Sequence, residues 1–354
     1  MKIFFLLFFA AAFACTDFVV QAKDGALING RSLEFGKDLQ SIIRLFPRGQ
    51  KTISQAPGQT PGLGWISKYG YLGVTCLGLS LSFDGINETG LSFGYLWLPG
   101  VTEYPTVQDS KKALDFTDFC AWVLGNFATV AEVKEALQNV SIWGHAVPSL
   151  GIPPVHAAIH DAKGNHLVVE FVQGKMQVYD NPISILTNSP PFDWQITNLQ
   201  NTLNFSPYNP NSVAFRGVSL SPPGQGGGLW GLPGDFSPPS RFVKIATLLR
   251  LALQPNHHSD AVNLAEHLLN SVDIPLGTVR DPGQDTGDFT QWVIIKDLTN
   301  RALYFRSYGD LTLKKIDLKK LNFTKENKNS LPLDLRRGFV DVTDSLSIKN
   351  RQID

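Results

Sequence analysis

The sequence predicts an α+β protein in which antiparallel β-sheets are covered by helices. Three observations predict it. Strand and helix signals come in blocks, not in the strict alternation that builds parallel βαβ sheets. Short apolar runs flank Asp24-Gly25, Lys163-Gly164-Asn165 and Gln173-Gly174, which are hairpin turn signals. The 354 residues, 43% apolar and 18% charged, can bury a large core.

The chain opens with one positive charge at Lys2, then an unbroken run of 11 apolar residues from Ile3 to Phe13. Ala12 and Ala14 stand three and one positions before Cys15, so residues 1–14 read as a secretory signal cleaved just before Cys15. The run is too short to span a bilayer, and no later run reaches 18 apolar residues. The mature protein is expected to be exported, periplasmic or secreted. Residues 15–354 show no compositional break and read as a single domain.

Phe18-Val19-Val20 and Ala26-Leu27-Ile28 then form a hairpin around Asp24-Gly25. With a two-residue turn there, paired residues sum to 49, so Cys15 lies opposite Glu34 and Arg31 opposite Phe18. Strict alternation puts Arg31 and Glu34 on opposite faces, so a bulge is needed for both to reach Cys15. A second strand pair spans Gly78 to Leu98, broken at residues 84–90. An apolar segment at 117–124 is followed by the capping box Thr129-x-x-Glu132. Strands return at Val155–His160, His166–Val172 and Lys175–Tyr179. Residues 204–240, rich in Pro, Gly, Ser and Asn, read as a long loop. Ser240 then caps a helix carrying Phe242, Ile245, Leu248, Leu249 and Ala252 at helical spacing. Thr290–Lys296 and Ala302–Tyr308 are strands, and the charged chain from Lys314 onward packs on the surface.

With 31 basic and 31 acidic residues the net charge is zero, which points away from nucleic acid and anionic membranes as partners. Three cysteines cannot make a disulfide framework; Cys76 and Cys120 are either one bridge or two buried thiols. A cysteine directly after a cleavage site is either lipidated or catalytic. Bacterial lipoproteins usually carry Leu three residues before that cysteine, where Ala12 stands here. A free N-terminal cysteine holds a nucleophile and, in its α-amine of pKa about 8, a base.

Two motif matches are coincidental by context. Gly90-x-Ser92-x-Gly94 needs a strand before and a helix after, but continues as a strand through Tyr95-Leu96-Trp97. Gly226-x-Gly228-x-x-Gly231 has no strand before it. The histidines show no metal-ligand spacing, and His257-His258 reads as a surface turn before a cap at Ser259. Asn87, Asn139 and Asn322 head N-x-S/T triplets, relevant only in a eukaryotic secretory route.

Motifs in order along the mature chain carry a resemblance: Cys15-Thr16, Gly30-Arg31-Ser32-Leu33-Glu34, Asn87-Glu88-Thr89-Gly90-Leu91 and Leu186-Thr187-Asn188-Ser189-Pro190. Phe192-Asp193-Trp194, Leu232-Pro233-Gly234-Asp235 and Pro239-Ser240-Arg241-Phe242 follow. Together they resemble the choloylglycine hydrolase family, the bile-salt hydrolases and penicillin V acylases. The resemblance implies a four-layer αββα sandwich of the N-terminal-nucleophile type. It implies an amidase acting on a small-molecule amide, with no metal and no organic cofactor. By motif, Cys15 is the nucleophile, Arg31 and Arg241 its arginines, and Asn188 an oxyanion donor. Glu34 stands where those enzymes have Asp, and Trp97 where they have Asn or Tyr at the oxyanion and substrate pocket. The two arginines are expected to favour the thiolate, and the Trp97 indole to shape an apolar acyl pocket. Bile-acid amides, phenoxyacetyl β-lactams and N-acyl homoserine lactones all fit as substrates. The loop at 204–239 corresponds to one that joins related enzymes into homotetramers. The competing class is an exported or lipid-anchored binding protein that kept the fold and lost catalysis.

Overall fold

The computed structural model describes residues 14–343 apart from 80, 148–150, 284–285, 325–329, 336–338 and 340. Of the expected signal segment 1–14, residues 1–13 lie outside the described residues, and Ala14 is the first residue of a strand.

Strands β1 (Ala14–Gln21) and β2 (Leu27–Phe35) form the hairpin expected around Asp24-Gly25. They sit inside a six-stranded sheet in the order Ile185–Leu186, β1, β2, Phe289–Asp297, Ala302–Ser307, Asp310–Asp317. The second sheet has eight strands in the order Lys175–Asp180, His166–Val172, Val155–His160, Ser92–Trp97, Ser82–Asn87, Tyr71–Thr75, Ile42–Phe46, Ser330–Pro332. Every neighbouring pair in both sheets is antiparallel.

Helix α1 (Phe116–Asn126) and α2 (Val130–Leu137) cover the eight-stranded sheet. A short α3 (Phe192–Leu199) leads to α4 (Pro238–Leu251) and α5 (His258–Asn270), which cover the six-stranded sheet. The sheets pack face to face through β1 and Ser92–Trp97. The layers are therefore α, β, β, α, as the resemblance implied. Alternation explains the division of the core. Phe93, Tyr95 and Trp97 pack with Phe116, Phe119 and Val123 of α1, whereas Leu96 joins the core that holds Cys15, Leu33 and Ile294. Among the described residues no helix is long and apolar enough to cross a membrane, and all three cysteines are free and buried.

Several details correct the sequence reading. The hairpin pairs Ala14 with Glu34, Cys15 with Leu33 and Asp17 with Arg31, one residue out of the expected register. Ala22 and Ala26 are joined by an N–H···O bond, leaving a three-residue loop whose Gly25 has φ +86°. A type I turn followed by a left-handed residue produces that loop, and Asp24 Oδ1 supports it by accepting the Ala26 N–H. Helix α4 starts at Pro238 with Ser237 as its N-cap position, not Ser240. Two prolines open the helix without needing donors, and Asp235 takes the Ser237 N–H at 2.9 Å and the Ser240 hydroxyl at 2.7 Å. Helix α5 is capped by His257 with Asp260, two residues earlier than Ser259. The strand Ser82–Asn87 runs through Asp84, so only Glu88-Thr89-Gly90 turns. The 204–240 loop contains a hairpin of Val213–Phe215 and Val218–Leu220, and the charged segment at 314–317 lies in an edge strand.

Candidate active site

Cys15 is 2% exposed and held at each of its functional atoms. Its backbone N–H donates to Asn188 Oδ1 at 2.8 Å. Its carbonyl accepts from Arg241 Nη1, which also donates to Thr16 Oγ1 at 2.7 Å. Its Sγ lies 3.7 Å from Arg31 Nη2. Arg241 Nη2 donates to Asn188 Oδ1 at 2.6 Å, and Asn188 Nδ2 donates to the Trp97 carbonyl at 2.7 Å. Four of the six predicted site residues thus contact one another directly around Cys15, with the Trp97 backbone as a fifth.

The continuous β1–β2 register decides which face each charge serves. Cys15, Asp17, Arg31 and Leu33 share the face toward the eight-stranded sheet, because directly opposed residues project to the same side. Glu34 projects to the other face, beneath α4, and no bulge between β1 and β2 brings it round to the thiol. Its Oε1 accepts from Thr290 Oγ1 at 3.1 Å, and its Oε2 has no partner among the described residues. Burial pushes the Glu34 carboxyl up to about 7, against the pull of Arg241 and of the nearby Ser32 and Thr290 hydroxyls. Asp288, also near Arg241, is pushed up to about 6, mainly by burial. Both carboxyls bind protons more tightly folded than unfolded. The contribution of these two groups to stability is therefore fully present below the ordinary carboxylate range and is lost as pH rises through about 6 to 7. Glu34→Gln is expected to flatten most of that slope, as read by thermal unfolding between pH 5 and 8.

The thiol departs from the expectation that two arginines would ionise it. Burial raises its pKa, Arg31 lowers it, Glu34 raises it, and Arg241 and the Trp97 N–H lower it; the net direction is upward. Desolvation outweighs the cations while the chain still continues through Ala14.

Trp97 also differs from expectation. Its indole is buried with Tyr71, Val147, Val155 and the α1 aromatics, on the face away from the thiol. Only its backbone borders Cys15. Trp97→Ala is expected to cost about 3–5 kcal/mol of stability and to leave the ranking of acyl groups unchanged. Chemical unfolding and a panel of acyl amides check the two halves separately.

Sequence reasoning missed the groups that hold this arrangement from behind. Arg31 Nη1 meets Asp84 Oδ2 at 3.3 Å, and Arg31 Nη2 donates to the Tyr95 carbonyl. His156 bridges Glu170 Oε1 at 2.8 Å and the Thr187 carbonyl at 2.9 Å, fixing the residue before Asn188. Asp17 bonds His160 Nε2 at 2.6 Å and takes the Asn29 amide at 3.1 Å. The glycines of the discarded G-x-S-x-G match have a packing role instead. A Cβ on Gly94 would lie 2.6 Å from Arg31 Nη1, and one on Gly90 would lie 2.1 Å from the Leu298 carbonyl. No spacing rule marks these residues, since they come from strands far apart in the chain.

The layered fold is that of the N-terminal-nucleophile hydrolases, and Cys15 lies buried near the start of β1. The chain belongs to the choloylglycine hydrolase family of linear amide C–N hydrolases, whose sequence profile matches residues 15–336. It is 34% identical over 315 residues to a bile salt hydrolase/transferase of Clostridium perfringens, covering 87% of this chain and 93% of that protein. It is 27% identical to a penicillin V acylase of Pectobacterium atrosepticum, covering 92% of this chain and 86% of that one. A solved conjugated bile acid hydrolase variant from C. perfringens superposes with a TM-score of 0.81 at 28% identity, over 93% of this chain and 99% of that chain. Penicillin V acylase from Agrobacterium tumefaciens superposes with a TM-score of 0.73 at 25% identity, over 89% of this chain and 90% of that one.

Proposed function

We propose that removal of residues 1–14 frees Cys15 as an N-terminal nucleophile that hydrolyses an acylated amine. The carrying observation is that the nitrogen, carbonyl and sulfur of this one residue are each held by a different predicted site residue: Asn188, Arg241 and Arg31. After cleavage the Cys15 nitrogen is an amine. Glu34 stands directly opposite Ala14 in register, so losing Ala14 exposes the new ammonium to a carboxyl whose Oε2 has no partner among the described residues.

In this reading the α-amine takes the thiol proton as Sγ attacks the acyl carbonyl. The developing oxyanion is met by Asn188 Nδ2, which has a second N–H beyond the one on Trp97, and by the Trp97 N–H. The protonated amine donates to the leaving nitrogen, the C–N bond breaks, and a Cys15 thioester remains. Water, deprotonated by the same amine, hydrolyses the thioester and restores the thiol. Bile-salt-like conjugates, penicillin V-like amides and N-acyl homoserine lactones are the substrates to test, given the relatives' named activities. The test pairs the mass of the N-terminal peptide with turnover of those three classes. Active protein whose N-terminal peptide still contains Ala14 overturns the reading.

Assembly into a homotetramer is part of the proposal. Tyr208, Val213, Phe215, Val218, Leu220 and Trp230 are exposed on the 204–237 segment, a large apolar patch for a free surface. Phe205, on the same segment, is buried. Light scattering is expected to give a tetramer, and Phe215→Glu with Val218→Glu a smaller species. A wild-type monomer removes the assembly role.

A further inference from the structure

Arg31 does not stand alone beside the thiol. Its Nη1 shares Asp84 with Lys296, whose Nζ lies 2.9 and 3.0 Å from the two Asp84 oxygens. Arg31, Asp84 and Lys296 all have 0% exposure. The Arg31 guanidinium also lies over the Trp292 ring, 5.6 Å from its centroid, with Nη2 on the Tyr95 carbonyl and near Cys15 Sγ. Asp84 is its carboxylate partner among the described residues. The cluster comes from three strands: β2, Ser82–Asn87 and Phe289–Asp297. Lys296 pairs with Asn29, two residues from Arg31 on the same face of β2.

We propose that Lys296 and Asp84 form a positioning pair that fixes the place and the effective charge of Arg31 at the Cys15 thiol. The proposal rests on the reading of Cys15 as nucleophile. An apolar trio of similar volume would fill this space at lower desolvation cost, and breaking a buried ion pair leaves an uncompensated charge. Charge gives the pair a signed effect. Two cations and one carboxylate leave a net single positive charge behind the sulfur. Without Lys296, Asp84 is balanced by Arg31 alone, and the thiolate loses support. Without the Asp84 charge, both cations act on the sulfur, and the thiolate gains support. The other ionisable groups around the thiol and the cluster are present in every variant: Asp17 on β1 and Cys120 on α1, both of which also feel the cluster's charges, Glu34 on β2, His160 through Asp17, Arg241 on α4 with Asp288 beside it, and the α-amine.

The experiment uses processed protein and follows iodoacetamide alkylation of Cys15 against pH by the mass of the N-terminal peptide. Lys296→Met is expected to raise the alkylation midpoint and Asp84→Asn to lower it, each by about half a pH unit or more. That is about a threefold change in rate at fixed pH below the midpoint. A purely structural pair would change thermal unfolding and leave both midpoints in place. Unmoved midpoints in folded variants, or shifts in the same direction, overturn the proposal. If either single variant fails to fold, the charge-neutral double variant decides. Its midpoint is expected to match the wild type while kcat falls at least about tenfold with KM unchanged, because Arg31 loses its anchor. A wild-type kcat in the double variant overturns the proposal. Cys15→Ala separates the two levels. Retained hydrolysis there sinks the nucleophile itself, whereas lost hydrolysis with unmoved midpoints sinks only the positioning pair.

Discussion

Protein that retains Ala14 ahead of Cys15 is expected to hydrolyse amides no faster than Cys15→Ala. In the described chain the Cys15 nitrogen is a peptide N–H, donating to Asn188. A peptide nitrogen has no lone pair available for a proton, so the thiol has no base of its own. The thiol is also pushed toward its neutral form by burial. Losing a positioned general base costs about 10²–10⁴ in rate, and losing the thiolate adds to it. The comparison needs two preparations of one sequence, one cut before Cys15 and one with the junction blocked. Turnover per mole and N-terminal mass are measured on both. Equal turnover would show that the amine takes no part. Cys15→Ser, with a poorer nucleophile at neutral pH, is expected to lose most turnover even when cut. Cys76 and Cys120 variants should keep it. Cys76 is held up to about 12, and Cys120 well above its usual value, both by burial.

The second large effect is expected at Asn188. Its Oδ1 takes both the Cys15 N–H and Arg241 Nη2, and its Nδ2 donates to Trp97 O. In the proposed mechanism, Asn188→Ala removes an oxyanion donor and also the acceptor that orients the Cys15 nitrogen. A drop of about 10²–10³ in kcat is expected from the donor alone, with KM changed much less, because the interaction forms in the transition state. Steady-state kinetics on the best substrate of the panel give both constants. A variant that raises KM at constant kcat would make Asn188 a ground-state binding residue instead.

Much of this arrangement was legible in the sequence because it is local. Cys15, Arg31 and Glu34 lie on one hairpin, and Asp24-Gly25 marks its turn. The register was not legible to the residue. A two-residue Asp-Gly turn would put both residues in the left-handed region; here only Gly25 enters it, and Asp24 reaches Asn256 and His258 across the fold. That one residue moves Arg31, and not Glu34, to the thiol's face. Asn188 and Arg241 were found only by resemblance, since nothing in their own neighbourhoods advertises chemistry. Asp84, Lys296, His156 and Glu170 were invisible for a related reason. Each looks like an ordinary strand residue until distant strands bring an opposite charge to it. Trp97 misled because motif position does not say which side of a strand a side chain takes; the alternation with Phe93 and Tyr95 did carry that information.

The polar groups between the two sheets have a consequence for how the layers stack. Apolar sheet faces tolerate sliding past one another, since interdigitating side chains offer many near-equivalent fits. Here Asp17 reaches across to His160, and Arg31 across to Asp84, from one sheet to the other. A slip by one strand spacing or one residue pair would strand buried charges, at about 3–5 kcal/mol for each broken pair. The ions therefore act as an alignment key, selecting one stacking among several that hydrophobicity alone would permit. We expect an Asp17→Leu, His160→Leu, Arg31→Met, Asp84→Leu, Lys296→Met chain to remain folded but to lose that single alignment. Native-state hydrogen exchange would read it as weaker protection in both sheets at similar global stability; unchanged protection would show that apolar packing aligns the layers unaided.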